Sequence, residues 1–311
     1  MDSEFEHQPV LLEEAISALN IKADGVYIDA TFGRGGHTQA ILERLNDDGR
    51  LLALDQDPQA VAYGRRLFDR EERIEIIHGN FRQVASMVAE RGLDKKVDGV
   101  LMDLGVSSPQ LDDAVRGFSF SRSGPLDMRM NPEEGESAML WLASASLNDL
   151  TVVLKKYGEE KSARRIAQAI IAARKDREIT DTKQLADIIV QAVPGYEKHK
   201  HPATRSFQAI RIFINEELQA LEEGLRAAVS VLAVAGRLAV ISFHSLEDRI
   251  VKRFMRDITS PPKMPAGLPI MSADRVVPFR LVGKPVIASE EETKTNPRAR
   301  SARLRVLERV L

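Results

Sequence analysis

The segment that most restricts the fold of this chain is Y-I-D-A-T-F-G-R-G-G-H-T, from Tyr27 to Thr38. A short apolar run ends near Ala30, and a helical pattern begins near Gly36. Gly33, Gly35 and Gly36 lie in the turn between them, where glycine permits a tight reversal and lets backbone N–H groups approach a ligand. Strand, glycine turn and helix in that order predict the opening unit of a parallel sheet. The following residues repeat the alternation. Residues 26–30, 50–55, 73–79 and 97–103 read as buried strands, and residues 37–45, 58–69 and 81–91 as the helices between them. Pro58 suits a first helical turn and Asp57 its N-cap. Short connections of this kind predict an α/β sheet covered on both faces.

The pattern then changes. Residues 112–130 are loop-like, with Gly, Ser and Pro punctuation. From 138 to 192 the period is helical throughout, with amphipathic helices at 147–157, 160–175 and 182–191, and a longer helical stretch runs over 204–233. A strand pattern returns at 237–243, and two further candidate strands lie at 280–287 and 302–310. The expected architecture is a Rossmann-like α/β domain interrupted by an all-helical insertion: a first part of the core at 1–112, the insertion at 113–205 and a second part of the core at 206–311. The stretch SPPKMPAGLP, 260–269, reads as an extended loop.

About 20 residues after the glycine turn, Asp55 ends the second predicted strand. In a doubly wound sheet that position lies beside the first turn, so its carboxylate can accept the hydroxyls of a ribose. A nucleoside-bearing cofactor is therefore expected at the C-terminal edge of the sheet. The dinucleotide fingerprint needs a third glycine where this chain has Thr38. Asp29 followed by G-x-G-G resembles the S-adenosylmethionine site of Rossmann-like methyltransferases, whose sulfonium and amino groups suit a pocket lined with carboxylates. The plainer reading is a tight turn and a helix-capping acid. His37 is either a cofactor contact or an exposed first-turn residue. Phe81, after the third strand, packs either on an adenine face or in the core.

The chain has no cysteine. That excludes a disulfide framework, thiolate-held zinc or iron–sulfur clusters, and a cysteine nucleophile. No metal-ligand spacing stands out, since His199 and His201 are only two apart in a basic stretch. The apolar runs are shorter than the ~20 residues that a membrane helix needs. The start, MDSEFEHQPV, is acidic and polar, unlike a signal peptide. A cytoplasmic protein without membrane contact is expected. With 44 Lys+Arg against 46 Asp+Glu, the net charge of −2 does not itself announce nucleic-acid binding but leaves room for a local basic face.

The fourth predicted strand ends in D-L-G-V-S-S-P-Q, Asp103 to Gln110. Enzymes that methylate exocyclic amines carry an acid or amide followed by a short rigid loop here, which holds the amine by its N–H groups and frees its lone pair for in-line attack. Asp103 supplies the acceptor, and Ser107, Ser108 and Pro109 a rigid polar loop. With these residues in place, the chain resembles, over nearly its whole length, the MraW/RsmH family of bacterial 16S ribosomal RNA cytosine-N4 methyltransferases. The matching blocks are HQPVLLEEA from His7, DATFGRGGHT from Asp29, LALDQDPQA from Leu52, MDLGVSSPQLDD from Met102, RGFSF from Arg116 and GPLDMRM from Gly124. They continue with YGEE at Tyr157, HPATRSFQAIRIFIN from His201, ISFHSLEDRIVKRF from Ile241 and NPRARSARLR from Asn296.

The resemblance implies a class I methyltransferase sheet, S-adenosylmethionine as cofactor, and a cytosine in the decoding region of 16S ribosomal RNA as substrate, within the small ribosomal subunit. It places cofactor contacts at Gly33, Gly35, Gly36, His37, Asp55, Phe81, Asp103 and Gln110, and catalysis at Asp103, Ser107, Ser108 and Pro109. It leaves open whether the protein is a homodimer. One departure is visible: the family's Pro-Gly-Gly turn before the fifth strand is Val234-Ala235-Gly236 here. The missing cysteine agrees with the resemblance, because methylation at cytosine C5 normally needs a thiolate adduct, whereas transfer to an amine does not.

Basic residues cluster at Lys155, Lys156, Lys161, Arg164 and Arg165, at 197–205 with Arg211, and at Arg298, Arg300, Arg303 and Arg305. Each cluster is a candidate phosphate contact or a solvated face. Phe118, Phe120 and Arg129 are candidates to stack on a base turned out of its helix. His244 is a candidate substrate contact, and Ser245 with Asp248 fits a helix N-cap. Two other functions remain in view at this stage: a nicotinamide-dependent oxidoreductase sharing the glycine turn and Asp55, and a non-catalytic RNA-binding assembly factor.

Overall fold

A computed structural model describes residues 9–193, 195, 201–261 and 277–311. His199 and most of the proline-rich stretch at 260–269 lie outside the described residues. The chain divides into two compact units, Met1–Gly105 with Leu218–Leu311, and Val106–Glu217. The helical unit thus begins earlier and ends later than the expected 113–205. The Ser-Pro-Gln turn after the fourth strand and the first half of the predicted long helical stretch belong with it.

In chain order, the first unit opens with α1 (Leu12–Leu19), β1 (Val26–Asp29), α2 (Gly36–Leu42), β2 (Arg50–Asp55), α3 (Pro58–Leu67), β3 (Ile74–His78), α4 (Val84–Glu90) and β4 (Val97–Asp103). The helical unit follows with α5 (Ser108–Asp112), α6 (Ala138–Ser144), α7 (Leu147–Gly158), α8 (Ala163–Asp176), α9 (Thr182–Ala192) and α10 (Thr204–Ile214). The first unit resumes with α11 (Glu217–Val231), β5 (Leu232–Ser242), α12 (Ser245–Ile258), β6 (Phe279–Leu281), β7 (Val286–Ile287), α13 (Glu290–Thr295) and β8 (Arg303–Arg309).

The sheet order is β3-β2-β1-β4-β5-β8-β6, with β7 also pairing β8. The first five strands are parallel and β8 runs antiparallel to β5. Side chains alternate between two cores, as the period of two requires. Ile28, Leu52, Leu54, Val100, Met102, Leu238 and Val240 face α4, α11 and α12. Tyr27, Leu51, Leu101, Ala239 and Ile241 face α1 and α2. Both faces are therefore dry, and the fold is the doubly wound α/β sheet expected. The order reverses between β1 and β4, which opens a crevice outside their C-terminal ends.

The helical unit buries its own core, built on Phe118, Met128, Trp141, Leu150, Leu154, Ile166, Ile170, Leu185, Ile189, Phe207 and Ile210. Side-chain caps start its helices: Ser137 accepts from Leu140 N–H, Ser146 from Asp149 N–H and Asp181 from Gln184 N–H. Each such cap contributes about 1 kcal/mol.

The helical stretch predicted at 204–233 is two helices, α10 and α11. Asn215 ends α10, and Glu216 takes a left-handed φ of 49°. The side chain of Asn215 turns inward, where Nδ2 donates to Met128 O at 2.7 Å and Oδ1 accepts from Met130 N–H at 2.7 Å. These bonds stabilise the break although apolar periodicity runs through it. β5 begins earlier than predicted and carries an irregularity, with Val97 opposite Leu232 but Gly99 opposite Arg237. The Val-Ala-Gly departure forms this bulge, and Ala235 sits there at φ 66°. The single candidate strand at 280–287 is two short pieces, β6 and β7. Among the described residues, no helix is long and apolar enough to cross a membrane.

Candidate functional site

The site grows from the register of the sheet. Asp29, the last residue of β1, stands opposite Ala53 of β2 and Leu101 of β4. Asp55 and Asp103 therefore end the flanking strands two residues further on, one on each side of the glycine turn.

Asp29 is fully buried and spends its carboxylate on the turn itself. Oδ1 accepts from Thr31 N–H at 3.1 Å and Oδ2 from Thr38 Oγ1 at 2.7 Å. Thr38, the residue in the position of the third glycine, is thus a strut between the turn and β1. Thr31 Oγ1 in turn accepts from Asp103 N–H at 2.7 Å, which ties the end of β4 to the same network. Asp29 supports the pocket from within; its ionisation is pushed upward by burial, offset by the threonine hydrogen bonds.

Gly35 caps α2 at φ 77°, where a side chain would also meet the Phe32 ring at 2.8 Å. Gly33 N–H donates to Asp55 Oδ2 at 2.8 Å, and Asp57 N–H to Asp55 Oδ1 at 2.8 Å. Each Asp55 oxygen keeps a further lone pair for a hydroxyl donor. Burial raises the pKa of Asp55 to about 6, against the two backbone hydrogen bonds that lower it. Asp57 caps α3 as expected, accepting from Gln59 N–H at 3.0 Å.

Asp103 differs from the other two. About a quarter of its side chain is exposed (24%), yet Oδ1 is sealed and accepts no hydrogen bond among the described residues. Its pKa is raised well above the usual carboxylate range by burial first, then by the charges of Asp29 and Glu247. His37 is buried rather than an exposed first-turn residue. Its Nδ1 lies 3.8 Å from Asp103 Oδ2, and its Nε2 lies 3.2 Å from Val10 O. The ring therefore faces Asp103.

Phe81 is half-buried, and its ring lies on the backbone of α11 at Gly224. A Cβ on Gly224 would come within 2.4 Å of Phe81 Cδ2. Glycine inside a helix costs about 1 kcal/mol relative to alanine, so Gly224 is the sequence signal for a close approach that the sequence reading missed.

After β5, α12 is capped by His244 and not by Ser245. Phe243 N–H and His244 N–H donate to Glu247 Oε2 at 2.8 and 3.2 Å, and Glu247 N–H lies 3.4 Å from His244 Nδ1. His244 Nε2 is 3.1 Å from Glu247 Oε1 but off the line of a hydrogen bond. Ile241, the register partner of Asp103, is three residues before this cap.

Ser107, Ser108, Pro109, Gln110, Phe118, Phe120 and Arg129 lie in the helical unit. Ser107 precedes α5, and its N–H donates to Gln110 Oε1 at 2.9 Å, so the Gln110 side chain closes a helix start. Pro109 is in the first turn of α5, and Ser108 and Gln110 are buried. Phe118 is a core residue of that unit, contrary to the expectation of a base-stacking role. Phe120 stacks on His201 with ring centroids 4.5 Å apart and meets Phe207 edge-on. Arg129 is held by Asp127 at 2.8 Å. Two predicted basic contacts are also spent internally: Arg211 on Glu217 and Arg305 on Asp248, each at 2.7 Å.

Three acids without a Lys or Arg partner among the described residues, one bearing a sealed and unpartnered oxygen, fit a ligand that brings N–H, O–H or positive charge. S-adenosylmethionine has that donor set: ribose hydroxyls for Asp55 and a sulfonium and amino group for the acid-rich end.

The family model of the MraW methylase family matches residues 4–310. A ribosomal RNA small subunit methyltransferase H from Nitrosococcus oceani is 57% identical over 304 residues, covering 97% of this chain and 96% of its own. Among solved structures, an rRNA methylase from Streptococcus thermophilus aligns with 98% of this chain and 99% of its own at 13% identity and a TM-score of 0.44. A SAM-dependent O-methyltransferase from Thermotoga maritima aligns with 99% of this chain and 69% of its own at 8% identity and a TM-score of 0.44.

Proposed function

The chain belongs to the MraW methylase family, an S-adenosylmethionine-dependent methyltransferase family, and from that premise we propose that it methylates the exocyclic N4 of a cytosine in 16S ribosomal RNA, at position 1402 of the decoding region, within the small ribosomal subunit. The observation that carries the choice of acceptor is the Asp103 carboxylate, part-exposed at the end of β4 and with one oxygen unpartnered. A cytosine amine has two N–H donors and a lone pair delocalised into its ring. An acceptor fixed at the end of β4 takes one N–H, turns the nitrogen and localises the lone pair.

Asp55 and Phe81 hold the nucleoside end of the cofactor, by hydroxyl acceptance and by ring contact. Bound S-adenosylmethionine supplies an electrophilic methyl group on a positively charged sulfur. Asp103 orients the amine toward that carbon, and its raised pKa makes it able to take the proton that the amine sheds after transfer. His37, facing Oδ2, keeps the carboxyl in position. The helix turn of Ser107, Ser108, Pro109 and Gln110 follows Asp103 in the chain and supplies the rigid segment after it. Direct transfer needs no covalent adduct, which accords with a chain that has no cysteine.

The test is incubation with labelled S-adenosylmethionine and unmethylated small subunits, followed by nucleoside mass spectrometry. N4-methylcytidine is expected. Label in 5-methylcytidine, or confined to protein, would overturn the reading.

A further inference from the structure

Three basic clusters are legible in the sequence; the structure shows a fourth. In α12, Arg249, Lys252, Arg253 and Arg256 are spaced i, i+3, i+4 and i+7, and all four are exposed. That spacing is one stripe along a helix. The opposite stripe is apolar: Leu246, Val251 and Met255 are buried, with Ile250, Phe254 and Ile258 packed beside them. The phase of the helix is thus fixed by the core, and the cations have to face outward.

The acids of α12 do not neutralise the stripe evenly. Glu247 is buried at the cap. Asp248 accepts from Arg305 Nε at 2.7 Å and lies 3.6 Å from Arg303 on β8. Asp257 takes Arg256 at 2.6 Å. Lys252 and Arg253 have no side-chain partner among the described residues, and Arg303, 53% exposed, adds a further cation from β8. Like charges at these spacings destabilise an isolated helix, and a bound polyanion relieves the repulsion. The stripe covers about 10 Å of helix axis. The helix starts at the His244 cap, three residues after the register partner of Asp103, and the first cation of the stripe, Arg249, is five residues beyond the cap. α12 thus leaves the same edge of the sheet at which Asp103 ends.

We propose that the outward face of α12, through Arg249, Lys252 and Arg253 with Arg256 and Arg303 beside them, binds the phosphates of the RNA that carries the target cytosine. This rests on the reading of RNA as substrate given above. The contact is electrostatic and positions the strand; it reads no bases.

The test compares wild type with the triple variant Arg249→Gln/Lys252→Gln/Arg253→Gln. Binding of protein-free 16S RNA is measured over a range of salt, and methylation of unmethylated small subunits is measured alongside. The variant is expected to raise the KM for subunits at least tenfold, to keep kcat within about twofold and to leave S-adenosylmethionine affinity unchanged. Its dependence of log K on log salt should be shallower by about 2, from ~0.7 per neutralised phosphate. Wild-type KM and salt dependence in the variant, with an active wild type, would overturn the proposal alone. A raised KM with an unchanged salt dependence on protein-free RNA would assign the face to a ribosomal protein and also overturn it. A wild type that neither binds nor methylates RNA removes the substrate reading and this proposal together. If the triple variant no longer binds S-adenosylmethionine, single Lys252→Gln and Arg253→Gln variants decide, each expected to be shallower by about 0.7.

Discussion

The C-terminal edge of the sheet and the interior of the helical unit treat polar groups in opposite ways. In the helical unit they are matched within the fold. Arg116 donates to Arg129 O and Met130 O, Arg174 to Leu142 O and Ala145 O, and Asn215 bridges Met128 and Met130. Among the described residues, the Ser206 hydroxyl is the one buried side-chain group of that unit without a partner, and it is neutral. At the sheet edge, Asp29, Asp55 and Asp103 crowd together with no Lys or Arg among the described residues pairing them, and Asp103 keeps one oxygen unpartnered. Each such acid costs stability when ionised. One region is built to hold itself together, and the other to be completed by a ligand.

This contrast predicts opposite signatures for substitutions in the two places. Phe118→Ala should cost about 3–5 kcal/mol of stability in a denaturant titration, with turnover per folded molecule nearly unchanged. A loss of turnover without loss of stability would return Phe118 to a substrate-contacting role. Asp103→Ala should do the reverse. Its kcat should fall by about 10²–10³, the scale for removing one aimed hydrogen-bonding group, while its melting temperature stays equal or rises. A variant both less stable and fully active would dissolve the distinction.

The next effect is in pH. The pKa of Asp55 is raised by burial to about 6, above the ordinary aspartate range. A raised carboxyl binds its proton more tightly in the folded state, so its contribution to stability is lost as pH rises through this window. Ribose binding needs the ionised acceptor, so cofactor affinity should move the other way, weakening about tenfold per unit below pH ~6. Calorimetric titration from pH 5 to 8 checks this. Asp55→Asn should bind more weakly at neutral pH, with a flatter profile. The smallest effect is at the β5 bulge. Ala235→Gly should stabilise by about 0.5–1 kcal/mol by removing left-handed strain, with activity untouched, read as a higher melting temperature.

The strands and helices of the sheet were legible because each carries a local signal: β1, β2 and β4 as apolar runs ending in Asp29, Asp55 and Asp103, and α3 through Asp57 and Pro58. The same holds for the glycine turn. What stayed hidden depends on partners distant in sequence. The break at Asn215 is set by Met128 and Met130, and nothing local interrupts the apolar period there. Phe118 and Phe120 carry no mark that separates a core ring from a base-stacking one. His244 is a cap only because Glu247 turns back to it, while Ser245 was the residue type that capping preference favours. The α12 stripe becomes visible once the core fixes which face turns outward. Ala235 is the instructive case. Where the family carries glycine, alanine takes a left-handed φ of 66° here.

On the proposed reading, the Asp103 carboxylate takes the amine of a cytosine beside a cofactor held by Asp55. A crystal structure with S-adenosylhomocysteine and cytidine tests it most directly. Ribose hydroxyls of the cofactor are expected on Asp55, and the cytidine N4 within hydrogen-bonding distance of the Asp103 carboxylate. A cofactor bound away from Asp55, or a cytidine whose amine is turned from Asp103, would contradict it.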